Sequence, residues 1–139
     1  MMRITDLLTE DTNTPTDFMK ILGEFLPVAM EHLQLDSLPK FKLELYLDDA
    51  EQPTFGKFVE DENTIYLGIE NRHPLDILRT LAHELVHFKQ GTEHQLDDTA
   101  GTTGSPQENQ AHELAGIIMR HFNKSHPEYF KDSAINLQN

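Results

Sequence analysis

The stretch Thr80-Leu81-Ala82-His83-Glu84-Leu85-Val86-His87-Phe88 decides how the rest of this chain is read. Around it, Ile77, Leu78, Leu81, Leu85 and Phe88 recur at helical spacing. Pro74 suits a first helical position, and Gly91 suits a stop. The pattern predicts a helix over residues 74–90. His83 and His87, at i and i+4, fall on one face of it about one turn apart. Two imidazoles so placed can converge on one ion at the ~2.0–2.1 Å that zinc requires. Glu84 is offset by one residue and stands beside such an ion, where a general base for an activated water belongs.

Two protein ligands leave a catalytic zinc short of the usual three. Four candidates follow: His94, Glu108, His112 and Glu113. Glu108 opens a second predicted helix that begins at Ser105-Pro106. It shares a face with Ala111, Ala115, Ile118 and Phe122, which must face the core. A carboxylate at the buried end of an apolar stripe needs a partner, and a metal is a good one. Ser105-Pro106-Gln107-Glu108 is also a capping box, in which the Glu108 carboxylate would reach back to the Ser105 backbone. Glu113 is about 140° further round the helix and faces elsewhere. His112 lies one turn from Glu108, where it can orient that ligand or replace it.

Residues 80–88 resemble the zinc-helix signature of the zincin metallopeptidases, which wants uncharged residues around the two histidines. Lys89 departs from that pattern. Glu108-Asn109-Gln110-Ala111-His112 resembles the Glu-x-x-Ala-Asp segment of the gluzincin type, with His112 where Asp is usual. The likeness extends over roughly residues 64–120 and to small peptidases of phages and bacteria. It implies a zinc peptidase acting on a peptide or protein substrate, with His83, His87 and Glu108 as ligands and Glu84 as general base. It also implies that a strand, for which Thr64-Ile65-Tyr66-Leu67-Gly68-Ile69 is the candidate, pairs with extended substrate. For the oxyanion of the tetrahedral intermediate the candidates are His112, His121 and Tyr129. A metzincin alternative through His94 fails on spacing, because Gly91 and His94 each lie one residue too far from His87. Two rival readings are a zinc-binding sensor or interaction module without turnover, and a DNA-associated SprT-like protease with a histidine third ligand.

The remaining sequence supplies an α+β frame for this site. Residues 16–34 carry the stripe Phe18, Ile21, Leu22, Phe25, Leu26, Ala29 and Leu33 of an amphipathic helix, with Pro27 predicting a kink or break. Residues 41–47 alternate as a half-buried strand. Residues 55–59 and 64–69 read as two more strands joined by a hairpin at 60–63. Three strands with short connections suggest a small antiparallel sheet. Residues 1–14 form a polar lead-in, 92–104 a polar loop and 124–139 a polar tail. His32, His73 and His126 have no partner pattern and read as surface or capping residues.

Composition narrows the options further. A chain of 139 residues fits one domain. Without cysteine, any metal must be held by His, Asp or Glu. The net charge of −13, from 24 acidic against 11 basic residues, and the absence of a Lys/Arg cluster argue against nucleic acid, and so against the SprT-like rival. No run approaches the ~20 apolar residues of a bilayer span. The N-terminus lacks the apolar region of a signal peptide, so a cytoplasmic location is expected.

Overall fold

The computed structural model describes residues 15–44, 47–49, 52–93 and 104–131. The expected lead-in, Leu45 of the first strand, His94 with most of its loop, and the end of the tail lie outside the described residues. The chain is α+β. Helix α1 (Pro15–Leu33) is followed by strands β1 (Lys40–Glu44), β2 (Leu47–Asp49), β3 (Gln52–Thr54), β4 (Gly56–Val59) and β5 (Thr64–Gly68). Helices α2 (Pro74–Thr92) and α3 (Pro106–Ser125) come next. Short 3-10 turns occupy Glu60–Glu62 and Pro127–Lys131.

Helix α1 runs through Pro27 without interruption. Pro27 and Gly23, whose carbonyl loses its donor, both lie on the exposed side, where water replaces the missing bond. Helix α2 begins at Pro74 and passes Gly91 by one residue. His73 serves as its N-cap, its Nδ1 accepting from the Leu75 amide at 3.1 Å. Lys89, the residue at odds with the apolar signature, sits in the last turn and pairs with Glu93 at 3.1 Å.

The sheet is mixed, not antiparallel as expected. Its order is β1-β5-β4: β4 and β5 form the predicted antiparallel hairpin, while β1 lies parallel to β5, with Lys40 opposite Thr64 and Glu44 opposite Gly68. Between β1 and β4 the chain makes a separate two-stranded antiparallel ribbon, β2 with β3. That excursion carries β4 to the far side of β5. Every residue of β5 is buried, as befits the middle strand.

The apolar stripes of the three helices meet residues of the sheet in one core. Phe18 and Phe25 of α1, Ile65 and Leu67 of β5, Leu81 and Leu85 of α2, and Ile118 and Phe122 of α3 are all fully or almost fully buried. Phe25 and Phe122 meet edge to face at 5.3 Å. Helix α2 is the hub, packing on α1, α3, β4 and β5. Among the described residues no helix is long and apolar enough to cross a membrane.

Strand β4 comes unusually close to α2. A Cβ built on Gly56 would stand 2.4 Å from the Thr80 Cγ2 and 3.3 Å from both Leu67 Cδ2 and Tyr66 O. Thr80 cannot easily turn away, because its hydroxyl donates to the Asp76 carbonyl at 3.1 Å and accepts from Arg72 at 2.6 Å. Arg72 also donates to the Phe55 and Gly68 carbonyls, at 3.2 and 2.8 Å, and so ties α2 to both ends of the β4–β5 hairpin. We expect Gly56→Ala to force β4 off α2 and to cost about 1–3 kcal/mol of stability, as overpacking does. Urea denaturation of the two proteins measures this; an unchanged midpoint would mean the contact is slack.

Candidate metal centre

Three elements assemble the site. The apolar face of α2 is buried by Ile77, Leu78, Leu81, Ala82 and Leu85, which leaves His83, Glu84 and His87 turned toward α3 and β4. Helix α3 is positioned by its start. Gly104 adopts a positive φ of 87°, and the Ser105 hydroxyl then caps the helix by accepting from the Glu108 amide at 3.1 Å. With the hydroxyl half of the capping box formed, the Glu108 side chain faces the imidazoles. Its Oε1 lies 2.9 Å from His83 Nε2 and 3.2 Å from His112 Nε2, and its Oε2 lies 3.1 Å from His87 Nε2.

His87 is held from behind by Gln90. The Gln90 amide nitrogen donates to the Gln107 carbonyl at 3.0 Å and to Gln110 Oε1 at 2.7 Å. A backbone carbonyl can only accept, so the orientation of the Gln90 amide is fixed. Its Oε1 must then accept from His87 Nδ1, 2.8 Å away. In neutral His87 the proton is on Nδ1, and the Nε2 lone pair faces the Glu108 carboxylate. Two lone pairs 3.1 Å apart repel unless a proton or a cation lies between them. Burial, the largest influence on His83, pushes its pKa below the usual histidine range, with His87 and His112 adding to the effect and Glu108 opposing it. Imidazoles gathered around a carboxylate are a donor set that could hold a divalent metal of the zinc type.

The ligand atoms of His83, Glu108 and His112 all lie within 4.8 Å of one another. This triplet differs from the expected His83, His87 and Glu108, because Glu108 presents one oxygen to His83 and His112 and the other to His87. All three histidines therefore share one carboxylate. His112 differs from the rest in its exposure, with 69% of its side chain accessible against 10% for His87.

Glu84 borders the same cavity as His83, Glu108 and His112. Burial pushes its carboxyl up to about 7; His87 and the Phe58 amide of β4, which donates to it, pull the other way, while Glu108 adds to the rise. A carboxyl poised there can take up and release a proton near neutrality. The cavity, about 340 Å³, is completed by Arg79 and Thr80 of α2, Ala115 of α3, and Phe55 and Gly56 beside the sheet.

Other expectations fall differently. Strand β5 has β1 on one side and β4 on the other, so neither of its edges can receive a peptide. The outer strand at the cavity is β4. His121 lies against His32, with 3.0 Å between ring nitrogens, and the Tyr129 hydroxyl donates to Glu24. Neither lines the cavity. Glu113 is exposed and away from it. Sequence reasoning missed Gln90, whose one signal is a polar side chain three residues past His87 on a buried face, and the Phe58 amide, which has none.

No family model matches the chain, and neither a curated protein nor a solved structure does.

Substituting Gln90 by Leu keeps the volume and removes the group that orients His87. We expect zinc affinity to fall by about 10–100-fold, the usual effect of losing such an outer partner. Competition against a chromophoric chelator reads this directly. Unaltered affinity would show that Gln90 does not orient a ligand.

Proposed function

We propose that this protein is a zinc-dependent metallopeptidase with His83, His87 and Glu108 holding the metal and Glu84 as general base. The observation that carries the reading is the convergence of His83, His87 and His112 on the Glu108 carboxylate, beside Glu84 and in an open cavity. The likeness of residues 80–88 and 108–112 to gluzincin-type zincins supports it. Bound zinc would supply Lewis acidity toward a scissile carbonyl and lower the pKa of water.

The chain's own residues do the rest. Glu84 removes a proton from the attacking water and returns it to the leaving amine, a transfer suited to a carboxyl poised near neutrality. The Phe58 amide, donating to the Glu84 carboxyl, favours its ionised form. Gln90 holds His87 in the tautomer whose Nε2 is free to bind. An extended peptide would lie along β4, with Phe55 as an exposed apolar surface at the cavity wall.

A second reading, a zinc-binding module without turnover, is favoured by His112. Its Nε2 stands 3.2 Å from Glu108 Oε1, where it can serve as a fourth protein donor and close the site. Three variants separate the readings by elemental analysis and by hydrolysis of a denatured protein mixture. The peptidase reading expects about one zinc per chain, lost or weakened in Glu108→Ala. It expects Glu84→Gln to keep the zinc and lose about 10²–10⁴-fold in rate. It also expects His112→Ala to keep both zinc and activity. Loss of zinc in His112→Ala, with no hydrolysis by the wild type, would establish the closed site instead. A wild type that takes up no zinc at neutral pH would end both readings.

A further inference from the structure

The two arginines near the cavity are used in opposite ways. Arg72 is spent on structure: it donates four hydrogen bonds, to Phe55, Gly68, Asp76 and Thr80, and stacks over the Phe55 ring. Arg79 is exposed, lines the cavity, and makes no hydrogen bond or ion pair among the described residues. Among the described residues no carboxylate pairs with this cation. Arg79 stands one turn before His83 on the same face of α2, about 6 Å away along the helix axis. The side chain offers five N–H donors in a planar fork, the arrangement that matches a carboxylate.

We infer that Arg79 binds a carboxylate of the substrate and selects peptides that carry one close to the scissile bond. The inference rests on the peptidase reading above for the identity of the ligand as a peptide. An extended chain advances about 3.3 Å per residue, so a carboxylate one or two residues from a carbonyl held at the histidines reaches Arg79. It is either the peptide's C-terminal carboxylate or an Asp or Glu side chain. Glu84 and Glu108 on the same walls repel such a ligand, so the preference requires the dication at the histidines. Arg79 also borders a second cavity of about 420 Å³, but Asp76 lines that one, and among the described residues no cluster of metal-binding groups is there to offset its charge. An anion held by Arg79 therefore belongs on the metal side.

The test measures binding to zinc-loaded Glu84→Gln, which separates recognition from turnover. Four peptides serve as probes: acetyl-Ala-Phe-Ala-Ala with a free C-terminal carboxylate, its C-terminal amide, acetyl-Ala-Phe-Glu-Ala amide, and the same peptide with Gln for Glu. In one of the two pairs the carboxylate member should bind about tenfold tighter or more, and that pair names the source of the carboxylate. Adding Arg79→Gln should abolish the preference, Arg79→Lys should retain part of it, and removing zinc with a chelator should erase it. Equal affinities in both pairs, no binding of either carboxylate peptide, or a preference that survives Arg79→Gln would overturn the assignment. Zinc content and circular dichroism of the Arg79 variants, matched to the parent, exclude misfolding as the cause. If the preference is present but the protein with Glu84 intact cleaves none of the four peptides or the denatured protein mixture, the peptidase reading fails and the role of Arg79 stands.

Discussion

One buried amide couples the packing of α2 on α3 to the chemistry of the site. Gln90 is 1% exposed, so its polar atoms must find partners within the protein. Its nitrogen is committed to the Gln107 carbonyl and to Gln110, both on the first turns of α3, and its oxygen to His87. A slide of α3 along α2 would break the first two bonds and release the third. The register of the helices and the tautomer of His87 are therefore one constraint. Buried polar networks of this kind are costly when partly satisfied, which makes the satisfied arrangement specific.

The same logic extends to the two other neighbours of α2. Ser105 caps α3 and thereby sets the height at which Glu108 meets the histidines. Strand β4 approaches α2 closely enough for its Phe58 amide to reach Glu84, an approach that depends on Gly56 having no side chain. Arg72 fastens that contact across Phe55, Gly68, Asp76 and Thr80. Thus each surface that buries α2 also delivers one component: the Glu108 carboxylate from α3, the amide that meets Glu84 from β4, and the histidines from α2 itself. A site built this way has little freedom left to lose when a ligand arrives.

What could be seen in the sequence follows from what local patterns encode. The helices were legible because each carries an apolar stripe at helical spacing, and α2 and α3 also open on a proline. His83, Glu84 and His87 were legible from spacing within one helix, and Glu108 from its place on the α3 stripe. The sheet order was not. Alternation reports that a strand is half-buried but says nothing of its neighbour, and the parallel pairing of β1 with β5 joins residues more than twenty positions apart. The run Ile65-Tyr66-Leu67-Gly68-Ile69, without a charged residue, is the one local hint that β5 lies in the middle. Gly56 and Arg72 gain their roles only when elements distant in sequence come together, so no window around them reveals those roles, and Gln90 offers only its place three residues past His87.

The difference in burial between the histidines bears on which of them a metal can rely on. His83 and His87 lie on the buried side of α2, and His87 is oriented by Gln90. Their rotamer freedom is already lost in folding, so binding an ion costs them little more. His112 has most of its side chain in solvent and touches the cluster through Glu108 and the His83 ring. Holding it at the ion costs rotamer entropy that the others do not face, and releasing it exposes only a side chain that is already hydrated. On energetic grounds His112 is the most readily released of the three histidines around Glu108. A centre with three fixed donors and one that can swing away is able to admit a fourth ligand from solution, which a centre closed by four buried side chains cannot do.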